Sequence, residues 1–349
     1  MTNAATQHAA SLRERWQAFR LINPKVRIRD AARELGTTEA ELVATGTGIG
    51  TTRLRPEFEA ILREVEQLGH VMALTRNDSV VHERKGIYLN PSFNPHVGLF
   101  VGEDIDLRLF MGPWAFGFAV SEGDKHSLQF FAKDGEAIHK IYLTERSNRE
   151  AFEALVKKFA AGLQSPELQV ETPKEKGYVF EGISAENAKL FRQEWAELRD
   201  THDFFGLLKK FELPRREAMR YAPEGLAYQV SPGTVRLVLQ AAAEKALPVM
   251  VFVGNQGCIQ IHTGTVSKLF EMGPWYNVMD PEFNLHLRED AIAEAWVVIK
   301  PTDDGVVTAL EVFDAHGEMV VQFFGKRKPG KPELQEWRDL VKANAVRIS

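Results

Sequence analysis

Residues 248–264, Pro248-Val-Met-Val-Phe-Val-Gly-Asn-Gln-Gly-Cys-Ile-Gln-Ile-His-Thr-Gly264, form a β-prone run with an earlier echo in the chain. Val71-Met72 recurs at Val249-Met250, Asn77 at Asn255 and Gly86 at Gly264, each 178 positions later (71 to 249). The same offset carries Glu39-Ala40 to Glu217-Ala218, and Leu107 and Leu109 to Leu285 and Leu287. Leu128, Phe131, Gly135 and Glu136 recur at Leu310, Phe313, Gly317 and Glu318, 182 positions on (128 to 310). Leu155-Val156-Lys157 recurs at Leu340-Val341-Lys342, 185 positions on (155 to 340). Identities in a common order, with an offset that drifts by a few residues, are what loop insertions leave in a duplicated domain.

The repeat sets the expected organisation: a first copy over residues 1–170, a second over 178–349, and a boundary near Ser165 to Gly177, a polar stretch with Pro166 and Pro173. Each copy opens with helix, Leu12 to Arg20 and Phe191 to Lys210. Each closes with helix, Arg149 to Leu163 and Pro332 to Ala345. Between them lie apolar β-prone runs: Val97–Val101 and Leu128–Phe131, then Pro248–Ile261, Ala295–Ile299 and Val306–Phe313. The expected fold class is α+β, a tandem duplication in which each copy is a large antiparallel β-sheet flanked by helices.

The 349 residues are 44% hydrophobic, too apolar for a disordered chain. The most apolar stretch, Leu247–Val253, is far short of the roughly 20 residues a membrane helix needs. Met1–Ala10 lacks a charged-then-apolar leader, and one cysteine, Cys258, cannot form an internal disulfide. These features lead to the expectation of a cytoplasmic protein without membrane insertion. A net charge of -5 does not suit a surface that coats nucleic acid.

Arg27-Ile-Arg-Asp-Ala-Ala-Arg-Glu-Leu-Gly36 followed by Thr37-Thr-Glu-Ala-Glu-Leu-Val43 has the rhythm of a helix-turn-helix, with Gly36 at the turn and Thr38 as a cap. Its second helix carries Glu39 and Glu41 and no cation, so nothing offers guanine its usual donor pair. The expectation is a helical hairpin on a sheet, with no nucleic-acid partner.

No HxH or HExxH spacing occurs among the ten histidines. His82, His96, His139 and His316 stand singly. His202 differs, because it begins Asp200-Thr-His-Asp-Phe-Phe-Gly-Leu-Leu-Lys-Lys-Phe211, where His202, Phe205, Leu208 and Lys209 fall on adjoining helical faces. The offset places Pro24 at the matching point of the first copy, so the histidine is not a requirement of the repeat. One imidazole on a helix beside an apolar cleft can hold haem iron. It can equally be a neighbour of an N-cap formed by Thr201 or Asp203. Asp106-Leu-Arg-Leu-Phe110 alternates as a half-buried strand does, placing Asp106, Arg108 and Phe110 on one face. Arg108 is then either paired with an acid or available to an anionic or oxygen ligand. Its second-copy counterpart is His286. Arg215-Arg216, Lys300 and Lys326-Arg327-Lys328 end helices or strands; together they suit two carboxylates.

Residues 248–264, Thr201–Lys209 and Asp106–Phe110 together resemble the signature stretches of the bacterial haemin-degrading, haem-trafficking family of haem-uptake operons. The resemblance covers essentially the whole chain. It implies one haem b (iron protoporphyrin IX) in a cleft formed mainly by the second copy and closed by the first. It implies His202 as the proximal iron ligand, Arg108 on the distal side and Phe110 against the porphyrin. Arg215, Lys300 and Arg327 would meet the propionates or line that end, with Gln322 near them. Phe324 departs from the pattern, standing where some relatives have a tyrosine hydroxyl. The implied role is a cytoplasmic, monomeric or homodimeric haem carrier between an inner-membrane haem importer and a haem oxygenase in iron acquisition. The alternative is a haem-degrading enzyme using external reductant and oxygen or peroxide; no GxGxxG for an internal electron donor is present. His82, His96 and His139 leave room for a second haem in the first copy, without a matching motif.

Overall fold

The computed structural model describes residues 2–173, 179–327 and 330–348, with backbone alone for 2–10. The helices of the first half are α1 (Thr2–Ile22), α2 (Ile28–Leu35), α3 (Glu39–Ala44), α4 (Phe58–Glu64) and α5 (Arg149–Phe159). Its strands are β1 (Thr51–Leu54), β2 (Gly69–Arg76), β3 (Val80–Gly86), β4 (Pro91–Phe93), β5 (Val97–Val101), β6 (Asp106–Phe110), β7 (Trp114–Glu122), β8 (Lys125–Ala132) and β9 (Ala137–Ser147). The second half has α6 (Ala185–Ala196), α7 (Asp203–Lys210), α8 (Arg215–Ala218), α9 (Thr234–Glu244) and α10 (Gln335–Asn344). Its strands are β10 (Ala227–Val230), β11 (Val249–Gly254), β12 (Cys258–Gly264), β13 (Leu269–Met272), β14 (Trp275–Met279), β15 (Phe283–Arg288), β16 (Glu294–Thr302), β17 (Gly305–Phe313) and β18 (Met319–Gly325). Both halves follow one order: three helices, a strand, a helix, eight strands and a closing helix. The duplication read from scattered identities is thus an element-by-element repeat.

Two nine-stranded antiparallel sheets result, ordered β1-β7-β8-β9-β2-β3-β15-β14-β13 and β10-β16-β17-β18-β11-β12-β6-β5-β4. Each half supplies six adjacent strands of one sheet and three of the other. One compact unit comprises Met1–Arg76, Glu83–Lys174 and Asn255–Gln260, and the other Asn77–His82, Glu175–Gly254 and Ile261–Ser349. The repeated asparagines explain their own recurrence. Asn77 Oδ1 accepts from the Ser79 and Val80 amides, while its Nδ2 donates to the carbonyls of Gly254, Met319 and Val320. Asn255 repeats this with the Gly257 and Cys258 amides and the carbonyls of Arg76 and Ile138.

In the second half, α9 and α10 cover one sheet face through Val235, Leu239, Trp337 and Leu340. Phe191, Trp195, Phe204, Leu207 and Leu208 of α6 and α7 cover Trp296, Val298, Ala309 and Phe313 on another. Ala295–Val298 are therefore buried on successive residues, as a strand between two apolar layers requires. In the first half, α2 ends on Gly36 in the left-handed conformation, and Thr38 and Glu41 form a capping box on α3. Glu39, Ala40, Leu42, Val43 and Ala44 are buried, so α3 packs inward.

Two helix boundaries differ from the sequence reading. The first closing helix stops at Phe159, not Leu163, because Ala160 turns to an extended conformation and bridges to Leu54. The last starts at Gln335, not Pro332. Buried Glu333 instead accepts hydrogen bonds from the Thr308 amide and hydroxyl, tying the approach to β17. The boundary reading at Gly177 and the lysine at position 328 lie outside the described residues. Among the described residues no helix is long and apolar enough to cross a membrane.

Candidate functional site

The helix expected over Phe191–Lys210 is two helices. Helix α6 ends at Ala196, and α7 begins after His202, which takes the N-cap position without a side-chain cap. Asp200 shapes the turn that leads into α7. Its Oδ1 accepts the His202 amide at 2.8 Å and His202 Nδ1 at 2.6 Å. The backbone hydrogen bond from His202 first, and then the ring, hold the Asp200 carboxyl below its ordinary range. A carboxylate only accepts, so Nδ1 carries the proton, and in the neutral ring Nε2 is the bare nitrogen. The imidazole is 89% exposed. Phe204, Leu207 and Leu208 face the core, whereas Phe205, one turn beyond His202, is 72% exposed. Leu208, expected beside His202 and Phe205, points inward instead. Asp203 does not cap α7 either; it accepts the Asp200 amide.

Beneath α7 the expected cations Arg215 and Lys300 meet on one carboxylate. Arg215, at the start of α8, makes two hydrogen bonds of 2.7 Å to Glu311 of β17. Lys300 of β16 makes a third, at 2.8 Å. Burial would raise the Glu311 carboxyl, but the two cations outweigh it and hold it well below the carboxylate range. Burial brings Lys300 down to about 8 against the attraction of Glu311. Strand register continues the row: Trp296, Glu311, Gln322 and Phe252 stand opposite one another on β16, β17, β18 and β11. Half-buried Gln322 therefore neighbours Glu311. Phe324, two residues on, is edge-on to Phe252 with ring centres 4.9 Å apart, an aromatic pair where a tyrosine hydroxyl was anticipated. Arg327 follows β18, and its charge contributes to the lowering of Asp200. Its Nη1 is buried without a hydrogen-bond partner among the described residues. One unit thus brings His202, Arg215, Lys300, Gln322 and Arg327 to the α7 side of the sheet.

Arg108 and Phe110 lie in the other unit, on β6 as the alternation predicts. Leu107 and Leu109 are buried, Arg108 is half-buried and Phe110 is 37% exposed. Of the two readings for Arg108, an ion pair is present: its Nη1 bonds Asp106. Burial raises the Asp106 carboxyl, and Arg108 opposes that rise. His82 and His139 sit in the core at 0% and 1% exposure. Neither is placed to take a ligand from outside.

A domain model described as haemin-degrading HemS/ChuX matches the chain twice, over residues 36–159 and 212–344. The chain belongs to this family. Family relatives include the hemin transport protein HemS of Yersinia enterocolitica, 40% identical over 334 residues (94% of this chain, 96% of that protein). The hemin transport protein HmuS of Yersinia pestis is 39% identical over 340 residues, 95% and 96% of the two chains. Among solved structures, holo-PhuS, a heme-binding protein from Pseudomonas aeruginosa, superposes with a TM-score of 0.93 at 44% identity, covering 97% of this chain and 99% of that one. ChuS, described as an E. coli heme oxygenase, gives 0.84 at 35% identity, covering 93% and 98%.

Sequence reasoning missed Asp200 and Glu311. Asp200 stands two residues before His202, and that spacing was the available signal. Glu311 lies in an apolar strand run, and only strand register reveals its partners.

Proposed function

We propose that this protein binds haem b (iron protoporphyrin IX) as cargo, accepting imported haem and delivering it for degradation in iron acquisition. The observation that carries the reading is the exposed His202 imidazole with Nδ1 engaged by Asp200. A metal-bound imidazole usually donates its other ring N–H to a carboxylate, a carbonyl or water. Haem also needs an apolar surface and donors for its carboxylates. Exposed Phe205 beside His202 suits the first, and the buried Nη1 of Arg327, without a partner among the described residues, suits the second. In this reading His202 is the proximal ligand from the second repeat (178–349). Arg108 and Phe110 of the first (1–170) serve the distal side, and Arg215, Lys300, Gln322 and Arg327 serve the propionate end. Arg108 would exchange Asp106 for a water or ligand at the iron. The setting is the cytoplasm, as monomer or homodimer, with an inner-membrane haem importer upstream and a haem oxygenase downstream.

Haemin titration followed in the Soret band, wild type beside His202→Ala, tests this. Saturation at one equivalent in the wild type, lost or altered in the variant, is the expected result. An identical titration in the variant would move the ligand to another residue. The similarity to a protein described as a heme oxygenase supports a second reading, ring opening by this chain with an external electron donor. Turnover to a defined biliverdin-like product that survives added catalase would favour the enzyme, and its complete loss would favour the carrier.

A further inference from the structure

Glu311 is fully enclosed and carries two cations. Arg215 Nε and Nη2 and Lys300 Nζ occupy its two oxygens. The trio keeps a surplus positive charge. Lys300 is 3% exposed, whereas Arg215 leaves 29% of its side chain open. Both cations lie over the Phe204 ring, 4.6 and 5.3 Å from its centre, on the helix that begins beside His202.

The first half holds a control for this place. Its matching cross-strand row is Phe118, Gln129, Lys140 and Leu74, against Trp296, Glu311, Gln322 and Phe252 in the second. A buried amide, Gln129, stands where Glu311 does, and it donates to Ser127. The fold therefore accommodates a neutral residue at this position. Burying a carboxylate is costly, and an ion pair seldom repays that cost over a neutral alternative. The first half does bury one ion pair in this row, Lys140 with Glu39, but at position 129 itself folding needs no charge.

We propose that Glu311 is a stand-in for a ligand carboxylate: it holds Arg215 and Lys300 in place while the site is empty and yields the open edge of Arg215 when a carboxylate arrives. The inference rests on the haem reading above, with the propionates as the arriving groups. Capture is then an exchange of one carboxylate for another. The cations need no ligand to stay oriented, and the net gain on binding is small enough for the cargo to leave again. Glu311 is a positioning residue; it touches Arg215 rather than the porphyrin.

The test compares haemin with haemin dimethyl ester, which keeps the ring and iron but not the carboxylates, by Soret titration and by release to excess apomyoglobin. Glu311→Gln, copying Gln129, is expected to bind haemin about tenfold more tightly and release it correspondingly more slowly, the scale of one charge-assisted hydrogen bond no longer competed for. Affinity for the diester is expected to stay unchanged. Glu311→Asp keeps the charge, withdraws it by one carbon and is expected to lie between; it carries the test if the glutamine variant does not fold. Weaker haemin binding, or equal changes for both ligands, would make Glu311 a structural residue and overturn the proposal. If wild type binds haemin and diester equally, recognition of carboxylates at this end is gone, and the proposal with it. If neither binds saturably, the haem reading itself fails.

Discussion

A carboxylate on Nδ1 orients an imidazole and strengthens Nε2 as a ligand. Asp200 does this with an exposed side chain, so its replacement is expected to spare the fold. Asp200→Asn is expected to weaken haemin binding by about 10-fold to 100-fold, the usual cost of losing an outer-shell partner, read by the same Soret titration. An unchanged affinity would reduce Asp200 to a local turn former. The motif around His202 was legible because its neighbours in sequence are also its neighbours on the helix. Whether the ring faced in or out was not, because it depends on the turn between α6 and α7, where Asp200 holds the ring.

At the scale of elements, the turns and the α7 layer bear the strain of substitution. Asn77 serves three carbonyls and two amides at the β2–β3 turn. Asn77→Ala leaves several of these without partners and is expected to cost about 2–3 kcal/mol, measured as a shift in urea midpoint with unchanged slope. Phe204 is 1% exposed, packs on Trp195 with ring centres 4.6 Å apart and lies under both cations. Phe204→Ala is expected to cost about 3–5 kcal/mol and to loosen the helix that presents His202. Thermal unfolding that shifts by only a degree or two would show that α7 is held elsewhere. Strands β5 and β6 were legible because alternation of two is a local signal. The single helix over Phe191–Lys210 was misread because both its halves are apolar, and the polar turn between them is short.

At the scale of the molecule, the two halves solve one position in two ways. Thr75, Tyr88, His139 and Cys258 are fully buried together. His139 Nδ1 is 2.8 Å from the Thr75 hydroxyl and Nε2 is 2.6 Å from the Tyr88 hydroxyl; Cys258 Sγ is 3.4 Å from Thr75. The repeat offsets map these residues to Val253, Val266, Val321 and Val80, all in the valine-rich core of the second unit. Burial brings His139 down to about 3 and pushes the Cys258 thiol up to about 12. Between about pH 3 and the ordinary imidazole range, the unfolded chain therefore binds a proton that the folded chain refuses. Stability from this group is complete above that range and falls with acid, by about 3 kcal/mol at pH 4.5. His139→Val, copying Val321, is expected to start less stable at pH 7, because Thr75 and Tyr88 lose their partner. It should then lose less on going to pH 4.5. Urea midpoints at the two pH values decide this, and parallel losses in both proteins would count against His139.

Duplication, fold class, the strand that carries Arg108 and the apolar helix that begins at His202 all followed from the sequence. Repeat offsets, alternation and helical spacing are relations between residues close in the chain or in constant register along it. Tertiary structure alone decided how the strands divide between two sheets, that α3 is buried, and that Arg215 and Lys300 share Glu311. Those outcomes depend on which distant strands fall side by side and on the burial that follows. Burial also turns a charge that water would solvate into one that must find a partner.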